Sequence, residues 1–170
     1  MASTDLHPVP QSPEGFRSVM SLWTTGIAVI TAPTPSGGQH PLAIVSNSFT
    51  SLSAKEELVM WAVDFTSSSH DHWVKAKEWV IHFLADDQKN LAERFAKRGG
   101  NKYEGLDYQT TETGAPLLEG VLARLYCHTE RLVEIADHTI VIGKVGKMEK
   151  SEKTPLHFYQ SQIIAGFTRE

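Results

Sequence analysis

A single cysteine, Cys127, is all the thiol the chain carries, so no internal disulfide can form and no cysteine-based zinc site is available. Its place in an alternating apolar run reads as a packed core residue rather than a nucleophile. Long hydrophobic runs are missing too. Stretches such as 26–32 and 58–63 fall far short of a bilayer span, and the polar N-terminus shows no signal-peptide core, so a soluble cytoplasmic protein is expected. Excess positive charge is also absent. The formal net charge is -4 and Lys and Arg are scattered, which leaves no electrostatic footprint for nucleic acid. Neither G-x-G-x-x-G nor a P-loop occurs, so any nucleotide must be held without a Rossmann phosphate turn.

What is present is ordinary globular material. With 170 residues, 41% hydrophobic and 21% charged, the chain can bury one core but not two enzymatic domains. Residues 1–11, rich in proline and small polar side chains, read as a flexible N-terminal arm, and residues 12–170 as the folded domain. Ser12 is placed to cap a helix that begins at Pro13 and gathers Phe16, Val19, Met20 and Trp23 on one apolar face, which must pack onto something. Strands are expected over 27–32, 41–49, 58–63, 79–84, 121–128, 139–147 and 162–167, with Thr50-Ser51-Leu52-Ser53 as a hydroxyl-rich loop after the second. Ser67-Ser68-Ser69 opens a short helix, and Asp86 or Asp87 caps another that buries Leu91 and Phe95 and stops at Gly99-Gly100. Many short strands, three helices and no βαβ alternation favour a closed antiparallel barrel.

Several clusters have chemical potential, each with a plain structural role open beside it. Ser46, Asn47, Ser48, Thr50, Ser51 and Ser53 concentrate neutral donors that suit a phosphate or a flavin ring edge, or merely satisfy a strand end. The hydroxyls of Ser67-Ser68-Ser69 suit a phosphate as well as a helix cap. His138 follows Asp137 at a predicted strand turn, where the acid can orient or charge the imidazole. His70-Asp71-His72 lacks further ligands at telling spacing and reads better as a solvated helix start than as a metal site.

Taken in order, these segments resemble the flavin reductase-like family of FMN-binding split barrels, the reductase components of two-component flavin monooxygenases. The likeness runs from about Phe16 to Phe167. It rests on Thr25-Gly26-Ile27-Ala28-Val29-Ile30-Thr31, Asn47-Ser48-Phe49-Thr50-Ser51-Leu52-Ser53, Ala85-Asp86-Asp87-Gln88 with Arg94-Phe95-Ala96, Gly114-Ala115-Pro116-Leu117-Leu118, Asp137-His138-Thr139-Ile140-Val141-Ile142-Gly143-Lys144-Val145 and Pro155-Leu156.

The resemblance implies a mainly β, antiparallel split β-barrel with a few peripheral helices, acting as a homodimer with flavin in the interface grooves. The surfaces around Trp73, Trp79 and Phe83 are expected to need that partner. It further implies that Ser46, Asn47, Ser48, Ser51, Leu52 and Ser53 line the isoalloxazine and ribityl chain of FMN or FAD. Ser67, Ser68 and Ser69 would approach phosphate, and His82, Phe83 and Leu84 would meet the ring. His138 would place NADH or NADPH, whose hydride passes from nicotinamide C4 to flavin N5, with reduced flavin supplied to a monooxygenase. The sequence departs from the family pattern at Ala43-Ile44-Val45, Lys55-Glu56-Glu57, His82 and Ala136. The alternative is a split barrel that binds flavin or haem without turnover.

Overall fold

The computed structural model describes residues 6–166, so Met1 to Asp5 of the expected arm and Phe167 at the end of the expected last strand lie outside the described residues. Helix α1 (Pro13–Met20) begins as anticipated, with Ser12 Oγ accepting the Gly15 N–H at 3.0 Å. Its apolar face is not covered, however. None of its residues is buried, and Phe16 and the following Trp23 are 69% and 72% exposed.

The chain then runs through β1 (Thr25–Gly26), β2 (Ala28–Ala32), β3 (Leu42–Ser46), β4 (Thr50–Ser53), β5 (Leu58–Asp64), α2 (His70–Trp73) and β6 (Glu78–Phe83). A 3-10 turn (Asp86–Gln88) leads into α3 (Lys89–Ala96), followed by β7 (Gln109–Thr110), β8 (Pro116–Leu117), β9 (Ala123–Ile135), β10 (His138–Lys150), β11 (His157–Tyr159) and β12 (Gln162–Ile164). Every strand pairing is antiparallel. A seven-stranded sheet has the order β3-β2-β6-β9-β10-β5-β4, and β1, β11 and β12 form a smaller one.

The largest departure from expectation is β4. Its hydroxyls hid strand character, because Thr50, Ser51 and Ser53 pair with Met60, Val59 and Leu58 on an edge strand that is exposed or half-buried throughout. The β9–β10 hairpin is longer than the apolar pattern suggested, since Glu130, Arg131 and Glu134 continue a strand that is exposed there. Neither Asp86 nor Asp87 caps the helix beyond them. Ala85 N–H instead donates to Gln88 Oε1 at 3.1 Å, and Asp86 takes the Thr154 hydroxyl. Helix α3 buries Ala92 with Phe95, leaving Leu91 only partly covered.

Strand β2 is buried throughout because it is covered on both faces. Ala28, Ile30 and Ala32 join a core containing Trp61, Trp73 and Trp79, while Val29 joins Ala92, Phe95, Leu118 and Leu156. Trp73 and Trp79 are at most 1% exposed, so they offer no surface to a second copy. Trp61 stacks edge-on against both at 5.1 and 5.9 Å. Gly143 makes room for this cluster: a Cβ there would lie 2.3 Å from Trp79 Cζ2.

Candidate functional site

Two clefts lie beside the end of β3. The larger, of about 540 Å³, is lined by β3, by Asp64 and Thr66 to Ser69 after β5, by the end of α3 with Lys97, Arg98 and Lys102, and by Phe158 and Ile163. The smaller, of about 240 Å³, is mainly apolar, with Gly26, Ala28, Phe49, Phe83, Leu84, Leu122 and Leu156 around Ser46 and Thr25. Ile27 and Asn47 line both, so the two clefts are neighbours on either side of these residues.

Strand alternation decides which side chains reach them. On β6, Phe83 packs towards Phe49 with ring centroids 5.2 Å apart and lines the smaller cleft, and Leu84, one residue past the end of the strand, lines it too. His82 points to the opposite face and is fully buried. A carbonyl only accepts and an amide N–H only donates, so its Nδ1–H donates to Val29 O at 3.1 Å while Nε2 accepts from Leu118 N–H at 3.2 Å. Burial pushes its pKa down to about 3, so the ring is neutral and has no surface left for a ligand.

At the strand end, Ser46 and Ser48 hydroxyls lie 3.1 Å apart, and Ser48 Oγ also accepts the Ala62 N–H, tying β3 to β5. Ser46 and Asn47 therefore face the clefts while Ser48 braces them. Ser51, Leu52 and Ser53 line neither cleft, and Ser53 Oγ accepts from Glu56 N–H in the turn before β5. Lys55, Glu56 and Glu57 also lie apart from both clefts, and Lys144 bonds the Glu56 carbonyl and sits 3.7 Å from the Glu57 carboxylate.

Ser67, Ser68 and Ser69 all line the larger cleft, and Ser69 makes no side-chain cap bond to α2. Asp64 organises the turn, accepting both the N–H and hydroxyl of Thr66. These bonds, then the charges of His138 and Arg98, hold its carboxyl below the usual range.

Three cations at this end escaped the sequence reading. Lys97 and Arg98 follow α3, and Lys102 donates to Phe95 O at 2.8 Å. Burial lowers its pKa from the ordinary lysine value. The sequence signal was Lys97-Arg98 between a helix end and two glycines, with Lys102 just past them, and nothing local ties these to serines thirty residues earlier.

His138 sits just outside the lining, across the β10–β5 ladder from Asp64. Its Nδ1–H donates to Asp137 Oδ1 at 2.7 Å, and that bond chiefly holds the Asp137 carboxyl below its usual value. The two-residue turn before it places Ala136 at φ 50°, in the left-handed region.

Known proteins bear on this arrangement. The chain is 35% identical over 151 residues to an FMN reductase (NADH), SmoA, of Agrobacterium fabrum, covering 89% of this chain and 84% of that one. It is 32% identical over 151 residues to the reductase subunit HsaB of a flavin-dependent monooxygenase from Rhodococcus jostii, covering 88% and 76%. Its fold matches the solved Streptomyces globisporus NADH:FAD oxidoreductase SgcE6, in complex with NAD and FAD fragments, with TM-score 0.86 and 27% identity over 95% of this chain and 98% of that one. Residues 20–165 match the flavin reductase like domain, and the chain belongs to that family.

Proposed function

We propose that this protein is an NAD(P)H-dependent flavin reductase that binds FMN or FAD along the two neighbouring clefts. The observation that carries this reading is Asn47, which borders both an apolar slot and an end furnished with serine hydroxyls and three cations. An isoalloxazine ring needs the first environment and a flavin phosphate the second. Thr25 adds to the fit, since it lines the slot and its buried hydroxyl has no hydrogen-bond partner among the described residues.

When bound, the flavin supplies the acceptor for the hydride of NADH or NADPH, and the protein's work is alignment. Phe49, Phe83 and Leu84 keep water from the ring. Ser67 to Ser69, Arg98 and Lys102 hold the phosphate end. His138, oriented by Asp137, positions the nicotinamide. His82 acts indirectly, locking β6 to β2 and to the segment at Leu118. In this reading residues 12–170 form the domain, with 1–11 as its arm, and the seven-stranded sheet closes as a split barrel.

Two copies pair as a homodimer in the cytoplasm. The uncovered apolar face of α1 and exposed Leu132, Val133 and Ile135 on β9 support the pairing, in place of the tryptophans. The name of the Rhodococcus relative supports delivery of reduced flavin to a monooxygenase component. Lys55, Glu56 and Glu57, where the sequence departs from the family pattern, line neither cleft and so give no support to binding without turnover. Steady-state consumption of NADH and NADPH in air, with and without FMN or FAD, tests the assignment. Consumption that depends on added flavin is expected, and none with any pairing overturns it.

A further inference from the structure

The geometry points to His70 as a positioning residue for the phosphate end of the site. This inference rests on the flavin reading above. His70 follows the serine turn directly, and its N–H donates to Ser67 O at 3.0 Å. Its ring is largely buried, with the side chain 15% exposed, and stands edge-on to Phe65 at 5.2 Å. Nδ1 lies 3.3 Å from Asp71 Oδ1, and with that nitrogen donating, Nε2 accepts the Thr139 hydroxyl proton at 2.9 Å.

Thr139 is buried on β10, adjacent to His138. The His70–Thr139 bond therefore fastens the turn carrying Ser67 to Ser69 to the strand carrying His138. Among the described residues no other side chain of the turn is hydrogen-bonded to β10: Ser67 and Ser69 hydroxyls lie 3.2 Å from each other, and Thr66 bonds Asp64. Helix α2 has only four residues and is anchored at its far end by the buried Trp73, so its serine end depends on the His70–Thr139 bond. Losing the bond frees the serines to swing from the cations opposite, so the penalty falls on the phosphate and not on the ring.

The experiment compares FMN with riboflavin, which lacks the phosphate, by fluorescence titration of wild type, His70→Leu, His70→Gln and Thr139→Val. In His70→Leu and Thr139→Val, FMN affinity is expected to fall roughly tenfold, the scale of one hydrogen bond to a charged group, while riboflavin affinity holds within about twofold. His70→Gln retains a polar group able to meet Thr139 and restores most of the FMN affinity. Thr139→Val removes the bond from the opposite side and reports even where His70→Leu does not fold. FMN affinity unchanged in the variants, an equal loss for both ligands, or no wild-type preference for FMN over riboflavin overturns the positioning role alone. A wild type that binds neither ligand overturns the flavin reading itself, and this inference with it.

Discussion

Leu118 donates its backbone N–H to Nε2 of His82 at 3.2 Å, and the opposite ring nitrogen donates to Val29 O, so one buried imidazole joins two strands and a loop. The ring must stay neutral to do so. Its pKa falls from the ordinary 6.5 to about 3 in the folded chain. Between those values the unfolded chain binds the extra proton, so stability is highest above pH 6.5 and is lost as pH falls towards 3, at about 1.4 kcal/mol per pH unit from this group. Urea unfolding of wild type and His82→Phe across that range should show the slope difference. Parallel slopes would mean that His82 titrates normally.

Lys102 should matter to the phosphate and little to the ring. Lys102→Met is expected to weaken FMN roughly tenfold, the scale of one charge-assisted bond, and to leave riboflavin almost unchanged, read by fluorescence titration. Equal weakening of both ligands would place Lys102 in the scaffold, through its bond to Phe95 O.

Much of the architecture was legible where side-chain chemistry acts locally. Ser12 and Pro13 announced α1, and the alternation around Cys127 announced β9, because caps and strand faces are short-range facts. Strand β4 was not legible: Thr50, Ser51 and Ser53 put hydroxyls on an exposed or half-buried edge strand, and only its pairing to β5 makes it a strand. Likewise the cations at Lys97, Arg98 and Lys102 meet the serine turn only through the packing of α3 onto β3, a contact no local pattern encodes. His82 misled for a different reason. Position along β6 puts Phe83 and His82 on opposite faces, so matching a segment to a family did not say which of its side chains reaches the cleft.

Helix α1 should show its purpose in the assembly state. Sedimentation of the wild type is expected to give a dimer, and replacing both Phe16 and Trp23 with Glu should yield a folded monomer, since each is more than two-thirds exposed in the single chain. A wild-type monomer that reduces flavin at full rate would contradict the dimer.

His138 should separate hydride transfer from flavin binding. His138→Ala is expected to slow reduction roughly tenfold, about 1.4 kcal/mol of transition-state stabilisation, and to raise the NAD(P)H requirement while flavin affinity holds. Identical rates and half-saturation in mutant and wild type would make it a turn residue bonded to Asp137 and nothing more.

The most direct measurement is anaerobic mixing of the purified protein with one equivalent of FMN or FAD and then NADH or NADPH, following the flavin and nicotinamide absorption bands together. The flavin band should bleach as one nicotinamide is oxidised per flavin, far faster than without protein, and return on admitting air. Bands that change no faster than in the protein-free mixture, with every flavin and donor tried, would contradict the assignment of this cleft to flavin reduction.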